Sequence, residues 1–197
     1  MRTTDDNMLT RLRRIVSEFT SEHDLPHALH LLVTRVNEAL HADATSVFLI
    51  DEASGEYVLM ATVGLNEKVV GKARLKFGEG LVGLVGEREE PINIDEATEH
   101  EAFHRMPKLE QDDYHGFLGA PLIFKGELMG VVVVQMQSSR MFAEEEEAFL
   151  VTLAVQVAGE LYQAYAKGGL QLLLAKRGRK KIEKVITGVS GSPGIAI

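Results

Sequence analysis

The sequence predicts an α+β domain with a central antiparallel sheet of five or six strands flanked by terminal helices. Two helical patterns open the chain, two pairs of strands joined by short turns occupy its middle, and a long helical pattern follows. Strands joined by tight turns are antiparallel, and helices grouped at the ends of such a sequence are typical of α+β domains. Alternation along residues 45–50, 57–63 and 128–136 requires two unlike sheet faces. We expect the terminal helices on one face and residues 78–88 and 95–114 on the other.

The first two helices are predicted from apolar residues that recur at helical spacing. The first spans residues 8–20, and Asp5 or Asp6 is the expected cap at its start. The second spans about 25–41, with Asp24 at the cap position. Both should bury one apolar stripe against the sheet.

The long carboxyl-terminal helix begins at Phe142 and continues through Glu144–Glu147, whose charges suit the amino-terminal end of a helix. Gly168-Gly169 interrupts this helix, and a second helical stretch over about 170–184 ends in a basic cluster. We interpret the cluster as the exposed face of a linker and the glycine pair as a hinge.

The strands are predicted from β-branched and aromatic runs that are bounded by turn residues. Six are expected: Thr45–Ile50, Tyr57–Val63, Leu75–Phe77, Pro91–Ile94, Phe117–Phe124 and Leu128–Met136. The last two join through the tight turn Lys125-Gly126-Glu127. Residues 95–114 are predicted to form a polar loop with one or two helical turns.

The composition excludes several classes of function. The chain has 197 residues, which suits one domain with extensions, and its net charge of −8 argues against general affinity for nucleic acid. It contains no cysteine, which excludes disulfides, thiolate catalysis, zinc–thiolate sites and thioether-linked chromophores. We find no apolar run of membrane-helix length and no secretory pattern at the amino terminus. We therefore expect a cytoplasmic protein with no membrane partner.

A glycine-rich segment contains Gly78, Gly80 and Gly83 in a G-x-G-x-x-G pattern with Asp95 downstream, the outline of a dinucleotide-binding motif. Such a motif follows a buried parallel strand, which is an almost continuous apolar run. Residues 72–77 instead alternate between polar and apolar side chains, and only about two helical turns follow the glycines. We therefore disfavour dinucleotide binding and interpret the glycines as residues of turns and close backbone approaches.

Residues 100–104 read His-Glu-Ala-Phe-His and match H-E-x-x-H, which on a helix places two imidazoles on one face for zinc. Met106-Pro107 follows too closely for the usual helix, so we interpret the segment as a loop. We expect no catalytic residue and no metal site in this chain.

The glycine-rich segment, its short apolar helix, a charged turn, Pro91, a short strand and Asp95 together resemble the central signature of GAF domains, which are small sensory modules. Gly119-Ala-Pro-Leu122, Gly126-Glu-Leu-Met-Gly130 and Phe142 before an acidic helix start match further pieces in the same order. The resemblance covers about residues 8–165 and implies a GAF-like sheet. The chain lacks the cysteine that bilin attachment and methionine-sulfoxide reduction need, and also the motif of the cyclic-nucleotide subgroup.

Residues 188–197 read Gly-Val-Ser-Gly-Ser-Pro-Gly-Ile-Ala-Ile and resemble the opening of the phosphohistidine domain of enzyme I, a phosphoenolpyruvate–protein phosphotransferase. A GAF domain followed by this opening is similar to the nitrogen-related enzyme I family of bacteria. The chain then divides into a sensory domain at 1–165, a helical linker at 166–187 and the start of the phosphohistidine domain at 188–197.

The resemblance implies a regulatory domain, itself not an enzyme, that responds to glutamine or 2-oxoglutarate and controls the phosphotransferase. It also implies a phosphocarrier protein as partner of the complete protein and magnesium in its catalytic domain, with no cofactor in this chain. The competing interpretation is a purely structural dimerisation module without a physiological ligand. A homodimer is expected through the first helix and the helix from 144 onward, because both carry more apolar positions than one sheet face covers.

We place the ligand pocket between the sheet and residues 78–115, since binding residues collect on loops over a rigid scaffold. The expected lining is Phe48, Met60, Thr62, Leu81, Phe103, His104, Tyr114, Phe117 and Gly119.

Overall fold

The computed structural model describes residues 7–104 and 114–166. The helices are α1 (Met8–Ser21), α2 (Leu25–Leu40), α3 (Gly80–Arg88) and α4 (Glu144–Ala166), with short 3₁₀ turns at Glu67–Val69 and Ala97–Glu99. The strands are β1 (Ala44–Asp51), β2 (Glu56–Val63), β3 (Arg74–Leu75), β4 (Ile92–Ile94), β5 (Gly116–Phe124) and β6 (Glu127–Met136). The predicted glycine hinge, basic linker and carboxyl-terminal segment lie outside the described residues.

The strands form one six-stranded sheet in the order β3–β2–β1–β6–β5–β4, and each neighbouring pair is antiparallel. Both predicted hairpins are present, and β1 pairs with β6 to join them at the centre of the sheet. The turn between β5 and β6 places Lys125 at φ 53° and Gly126 at φ 78°, the left-handed pair that a two-residue hairpin turn uses. The prediction of an α+β fold with five or six antiparallel strands is confirmed.

The caps explain where the first two helices begin. The Asn7 side chain accepts hydrogen bonds from the backbone N–H of Leu9 at 2.7 Å and of Thr10 at 3.2 Å, so α1 is capped by Asn7 and not by Asp5 or Asp6. Asp24 caps α2 as predicted, accepting from the N–H of His27 at 3.3 Å.

The strand predicted at Leu75–Phe77 is shorter and begins earlier than expected. Only Arg74 and Leu75 pair with β2. Phe77 lies beyond the sheet, is 58% exposed and stacks on the ring of Tyr57 with centroids 6.2 Å apart. The predicted strand therefore ends two residues beyond the observed one, because Phe77 continues the alternating pattern without pairing with β2.

Helices α1, α2 and α4 cover one face of the sheet, which we call the helix side. Leu29 and Val33 of α2 and Leu153 of α4 share a core there with Val47 and Val132 of the sheet. Each such buried side chain contributes roughly 1.5–3 kcal/mol relative to an exposed one. No helix within the described residues combines the length and apolarity that crossing a bilayer requires.

Helix α3 and the segment after β4 cover the opposite face, which we call the α3 side. Leu81 and Val85 of α3 share a second core with Phe48, Tyr57 and Phe117. The prediction that 78–88 lies opposite the terminal helices is therefore confirmed, as it is for the described part of 95–114, where Ala97 and Phe103 join this core.

Candidate functional site

The glycine motif forms the turn before α3 and the contact that holds α3 in place. Gly78 and Gly80 have φ values of 74° and 69°, in the left-handed region that glycine occupies without steric cost. Gly83 packs on the backbone of Gly78, where an added Cβ would lie 2.5 Å from the carbonyl carbon. The preceding strand β3 pairs antiparallel with β2, which is not the arrangement of a dinucleotide site. The motif is accounted for by backbone geometry.

The first turn of α3 is not capped by a side chain. Glu79 occupies the cap position in an extended conformation and makes no capping hydrogen bond. Its carboxylate instead accepts from the N–H of Lys76 at 2.8 Å and lies 3.2 Å from Nε2 of His104. The N–H groups of residues 80–82 have no hydrogen-bond acceptor within the described parts of the chain. The unpaired N–H donors and the helix dipole make this end of α3 a favourable place for an anion or for an oxygen atom with partial negative charge.

A cavity of about 30 Å³ lies between the sheet and this end of α3. Its lining consists of Phe48, Leu75, Gly80, Leu81, Val82, Ala97, Phe103, His104, Phe117 and Gln135. Five residues predicted from the sequence meet here: Phe48, Leu81, Phe103, His104 and Phe117. The volume is about twice what a single water needs, so it fits a terminal chemical group.

Met60 lies on the wrong face for this cavity. The register of β1 and β2 shifts so that Val47 is opposite Ala61 while Phe48 is opposite Leu59. Met60 is the extra residue of this bulge, and its side chain joins the helix-side core. Met60 therefore faces away from Phe48, as alternation from Tyr57 and Leu59 on the α3 side requires.

Three other predicted residues are also absent from the cavity lining. The buried Thr62 hydroxyl shares a 2.8 Å hydrogen bond with Ser46. Tyr114 packs in a small separate core and donates to the carbonyl of Gly64 at 2.7 Å. Gly119 allows close packing, since a Cβ there would lie 2.7 Å from Cγ2 of Val85 in α3.

Gln135 was missed from the sequence although it lines the cavity. It is directly opposite Phe117 in the β5–β6 register, and only 6% of the residue is exposed. A signal was present, because Gln135 is the polar end of the apolar run 131–134 and shares a face with Val131 and Val133. Its place near the end of β6 made it resemble an exposed strand terminus.

Residues 100–104 form a turn and not a helix. Nδ1 of His100 accepts from the N–H of Ala102 at 3.1 Å, while His104 faces Glu79. No cluster of three or more metal-ligating side chains occurs within residues 7–104 and 114–166. The two imidazoles therefore do not share the helical face that an H-E-x-x-H zinc site requires.

Glu96 connects the segment after β4 to the segment that precedes α4. Its carboxylate accepts from the Ser139 hydroxyl at 2.6 Å and the Thr98 hydroxyl at 2.5 Å, and lies 2.6 Å from Nδ1 of His115. Hydrogen bonds from Ser139, Thr98 and His115 lower the pKa of Glu96 to about 2. The ionised carboxylate is therefore favoured by the folded state.

This shift predicts a dependence of stability on pH. A carboxylate with a lowered folded-state pKa stabilises the fold above its ordinary value of 4.5, and that contribution is lost as pH falls toward 2. We expect Glu96→Gln to lower the free energy of unfolding at pH 6, and the difference from wild type to narrow between pH 4.5 and 2. Urea unfolding across this pH range measures the difference in the free energy of unfolding. Glu101→Gln, at an exposed glutamate, is the control. A difference that is constant with pH would contradict the assignment.

Comparisons with known proteins agree with this architecture. Residues 24–161 match the family model described as GAF domain. A protein of Escherichia coli, "Phosphoenolpyruvate-dependent phosphotransferase system", is 40% identical over 190 residues, which cover 96% of this chain and 24% of that protein. The chain thus spans about a quarter of the length of this curated relative.

Two solved structures are also similar. One is the GAF domain from a phosphoenolpyruvate-protein phosphotransferase of Coxiella burnetii, with 57% identity and a TM-score of 0.79 over 84% of this chain and 99% of that one. The other is the GAF domain from an Acinetobacter phosphoenolpyruvate-protein phosphotransferase, with 41% identity and a TM-score of 0.75 over 85% and 99%.

Proposed function

The chain belongs to the GAF domain family, and from that premise we propose that it senses a small metabolite and controls the phosphoenolpyruvate-dependent phosphotransferase activity of a longer protein. The observation that carries the proposal is the α3-side cavity, where aromatic walls, an uncapped helix end and a buried amide converge. Small-molecule sites combine apolar walls with a few placed polar groups. A cytoplasmic location is part of the same proposal.

The ligand class follows from the resemblance to the nitrogen-related enzyme I family, which favours glutamine or 2-oxoglutarate. A metabolite present at millimolar concentration needs only about −4 kcal/mol of binding free energy. A site that accommodates one terminal group closely, as this cavity does, is compatible with such an affinity.

The output would pass through β5 and α4. Val85 of α3 lies against Gly119 of β5, and β5 packs against α4, which leads toward the predicted linker at 166–187. A ligand that displaces α3 would change this packing. Coupling between two sites is typically about 1–3 kcal/mol, or roughly 5- to 150-fold in affinity. In the complete protein, the partner would be a phosphocarrier protein and the catalytic domain would use magnesium.

The competing function is a structural dimerisation module, and exposed apolar residues on the helix side favour it. Leu9 of α1 is 69% exposed and Val155 of α4 is 54% exposed. We propose a homodimer in which these two helices of each chain form the interface, whether or not a ligand binds. A monomer in sedimentation at tens of micromolar protein would contradict the proposed homodimer.

Thermal-shift screening of the 197-residue chain against amino acids, 2-oxo acids and nucleotides tests the sensory proposal. Glutamine or 2-oxoglutarate at 100 times its Kd should stabilise the chain by about 2.7 kcal/mol. Phe103→Ala, which removes a cavity wall, should abolish the shift, while Phe77→Ala at an exposed aromatic should preserve it. The absence of any stabilising metabolite in the screen would favour the structural alternative.

A further inference from the structure

Gln135 is a largely buried residue whose amide has no hydrogen-bond partner in the described part of the chain. Only 6% of the residue is exposed, and its side chain forms no hydrogen bond within residues 7–104 and 114–166 although it lines the α3-side cavity. Among the described residues only the Tyr57 hydroxyl is both fully enclosed and unpaired, so the Gln135 amide keeps some contact with solvent in the cavity, which a ligand group could replace. A bound group that pairs with this amide would therefore be favoured.

Unpaired donors lie on another wall of the same cavity. Gly80, Leu81 and Val82 line it, and their backbone N–H groups lack acceptors in the described part of the chain. An added Cβ on Gly80 would lie 3.2 Å from Cβ of His104, so the backbone approaches the cavity closely here. Three N–H groups at the positive end of a helix suit a carbonyl or carboxylate oxygen.

We propose that this cavity binds the terminal carboxylate or carboxamide of a small metabolite, and that Gln135 determines specificity for that group. The inference rests on the proposed sensory function and deepens it by identifying which part of the ligand is recognised. A carbonyl oxygen accepts from the α3 N–H groups. The Gln135 amide completes the pairing, since Nε2 donates to a carboxylate and Oε1 accepts from a carboxamide.

The size and walls of the cavity support a terminal group. A volume of about 30 Å³ holds a few non-hydrogen atoms and not an entire metabolite. Phe48, Phe103 and Phe117 would contact the adjoining carbon atoms, while His104 is half exposed and marks the side from which the ligand enters.

The test is an NMR titration of the ¹⁵N-labelled chain with sodium propionate and propionamide, and with propan-1-ol as the three-carbon control that lacks a carbonyl. We expect both carbonyl probes to shift the amide signals of residues 80–82 and the side-chain signal of Gln135, and propan-1-ol not to. Gln135→Met keeps the length of the side chain and removes the amide. This variant should bind propionate and propionamide about tenfold more weakly than wild type, or weaker still. The exposed Gln137→Met is the matched control and should bind as wild type does.

Melting of the ligand-free chain separates recognition from a structural role. Because Gln135 makes no hydrogen bond to lose, Gln135→Met should melt at the wild-type temperature or above it. A lower melting temperature, or equal probe affinity in wild type and Gln135→Met, would overturn the proposal. Gln135→Glu distinguishes the two ligand chemistries. Its carboxylate should repel propionate, so binding of propionate is lost, while binding of propionamide is kept. Unchanged binding of both probes to Gln135→Glu would count against the proposal.

Failure of this inference is distinguishable from failure of the proposed function. If a metabolite stabilises the chain while neither carbonyl probe shifts residues 80–82, the sensory function stands and this recognition mode is wrong. If the probes bind as expected and no metabolite does, recognition stands and the sensory function fails.

Discussion

Gly83→Ala is expected to lower the free energy of unfolding by about 1–3 kcal/mol, although alanine is the better helix former by about 1 kcal/mol. The new Cβ would lie 2.5 Å from the carbonyl carbon of Gly78 and 2.9 Å from its N and Cα atoms. These are backbone atoms of a residue in the left-handed conformation, so they cannot rotate away as a side chain does. Helix α3 must therefore move off the loop.

Gly159→Ala in α4 is the matched control, because it makes the same substitution within a helix. Its Cβ would meet only the Phe124 ring, at 3.3 and 3.4 Å, and a side chain can shift by a few tenths of an ångström. We expect the free energy of unfolding of this variant to be within about 1 kcal/mol of the wild-type value, because the higher helix propensity of alanine offsets the contact. Urea unfolding measures both. Gly83→Ala as stable as Gly159→Ala would show that α3 does not depend on this contact.

Tyr57→Phe is expected to raise the free energy of unfolding by about 1–3 kcal/mol, the cost of leaving a buried donor unsatisfied. Tyr57 is fully buried, and its hydroxyl has no hydrogen-bond partner within the described residues. Burial, reinforced by the charges of Glu89 and Glu87, raises the pKa of Tyr57 to about 12, so the hydroxyl keeps its proton at neutral pH. Removing the hydroxyl therefore breaks no hydrogen bond within the described residues.

Tyr165→Phe provides the opposite case. The Tyr165 hydroxyl donates to the carbonyl of Ile50 at 2.9 Å, so its removal should cost about 0.5–1.5 kcal/mol. The melting temperature should therefore rise in Tyr57→Phe and fall in Tyr165→Phe. A Tyr57→Phe chain that melts below wild type would mean that the hydroxyl is satisfied in solution, and the packing of α3 over Tyr57 would need revision.

Apart from the bounds of β3 and the face of Met60, sequence periodicity was sufficient for the strands, the two faces of the sheet and the position of α3. These depend on local alternation and on turn residues such as Lys125 and Gly126, whose conformations are visible in the chain itself. The glycine motif shows the limit of a pattern taken alone. Gly78, Gly80 and Gly83 satisfy a dinucleotide consensus, and only the alternating strand before them indicated a turn and a close contact instead.

The site was predictable only in part, because its composition depends on register. Phe48 and Phe117 follow from the alternation of regular strands, and Leu81 follows from the placement of α3. Met60 was misplaced although Tyr57 and Leu59 face the α3 side, which by alternation puts Met60 on the helix side with Val58. Gln135 was missed because its burial arises from elements distant in sequence.

Autophosphorylation from phosphoenolpyruvate, the activity proposed for the complete protein, gives the most direct test of the proposed sensory function. The rate would be measured with and without glutamine and 2-oxoglutarate, for wild type, for Phe103→Ala and for a variant lacking residues 1–165. We predict that one metabolite changes the wild-type rate by about 5- to 150-fold and leaves both variants unaffected. If the deletion variant keeps both the wild-type rate and the wild-type response to metabolite, this domain is not the sensor.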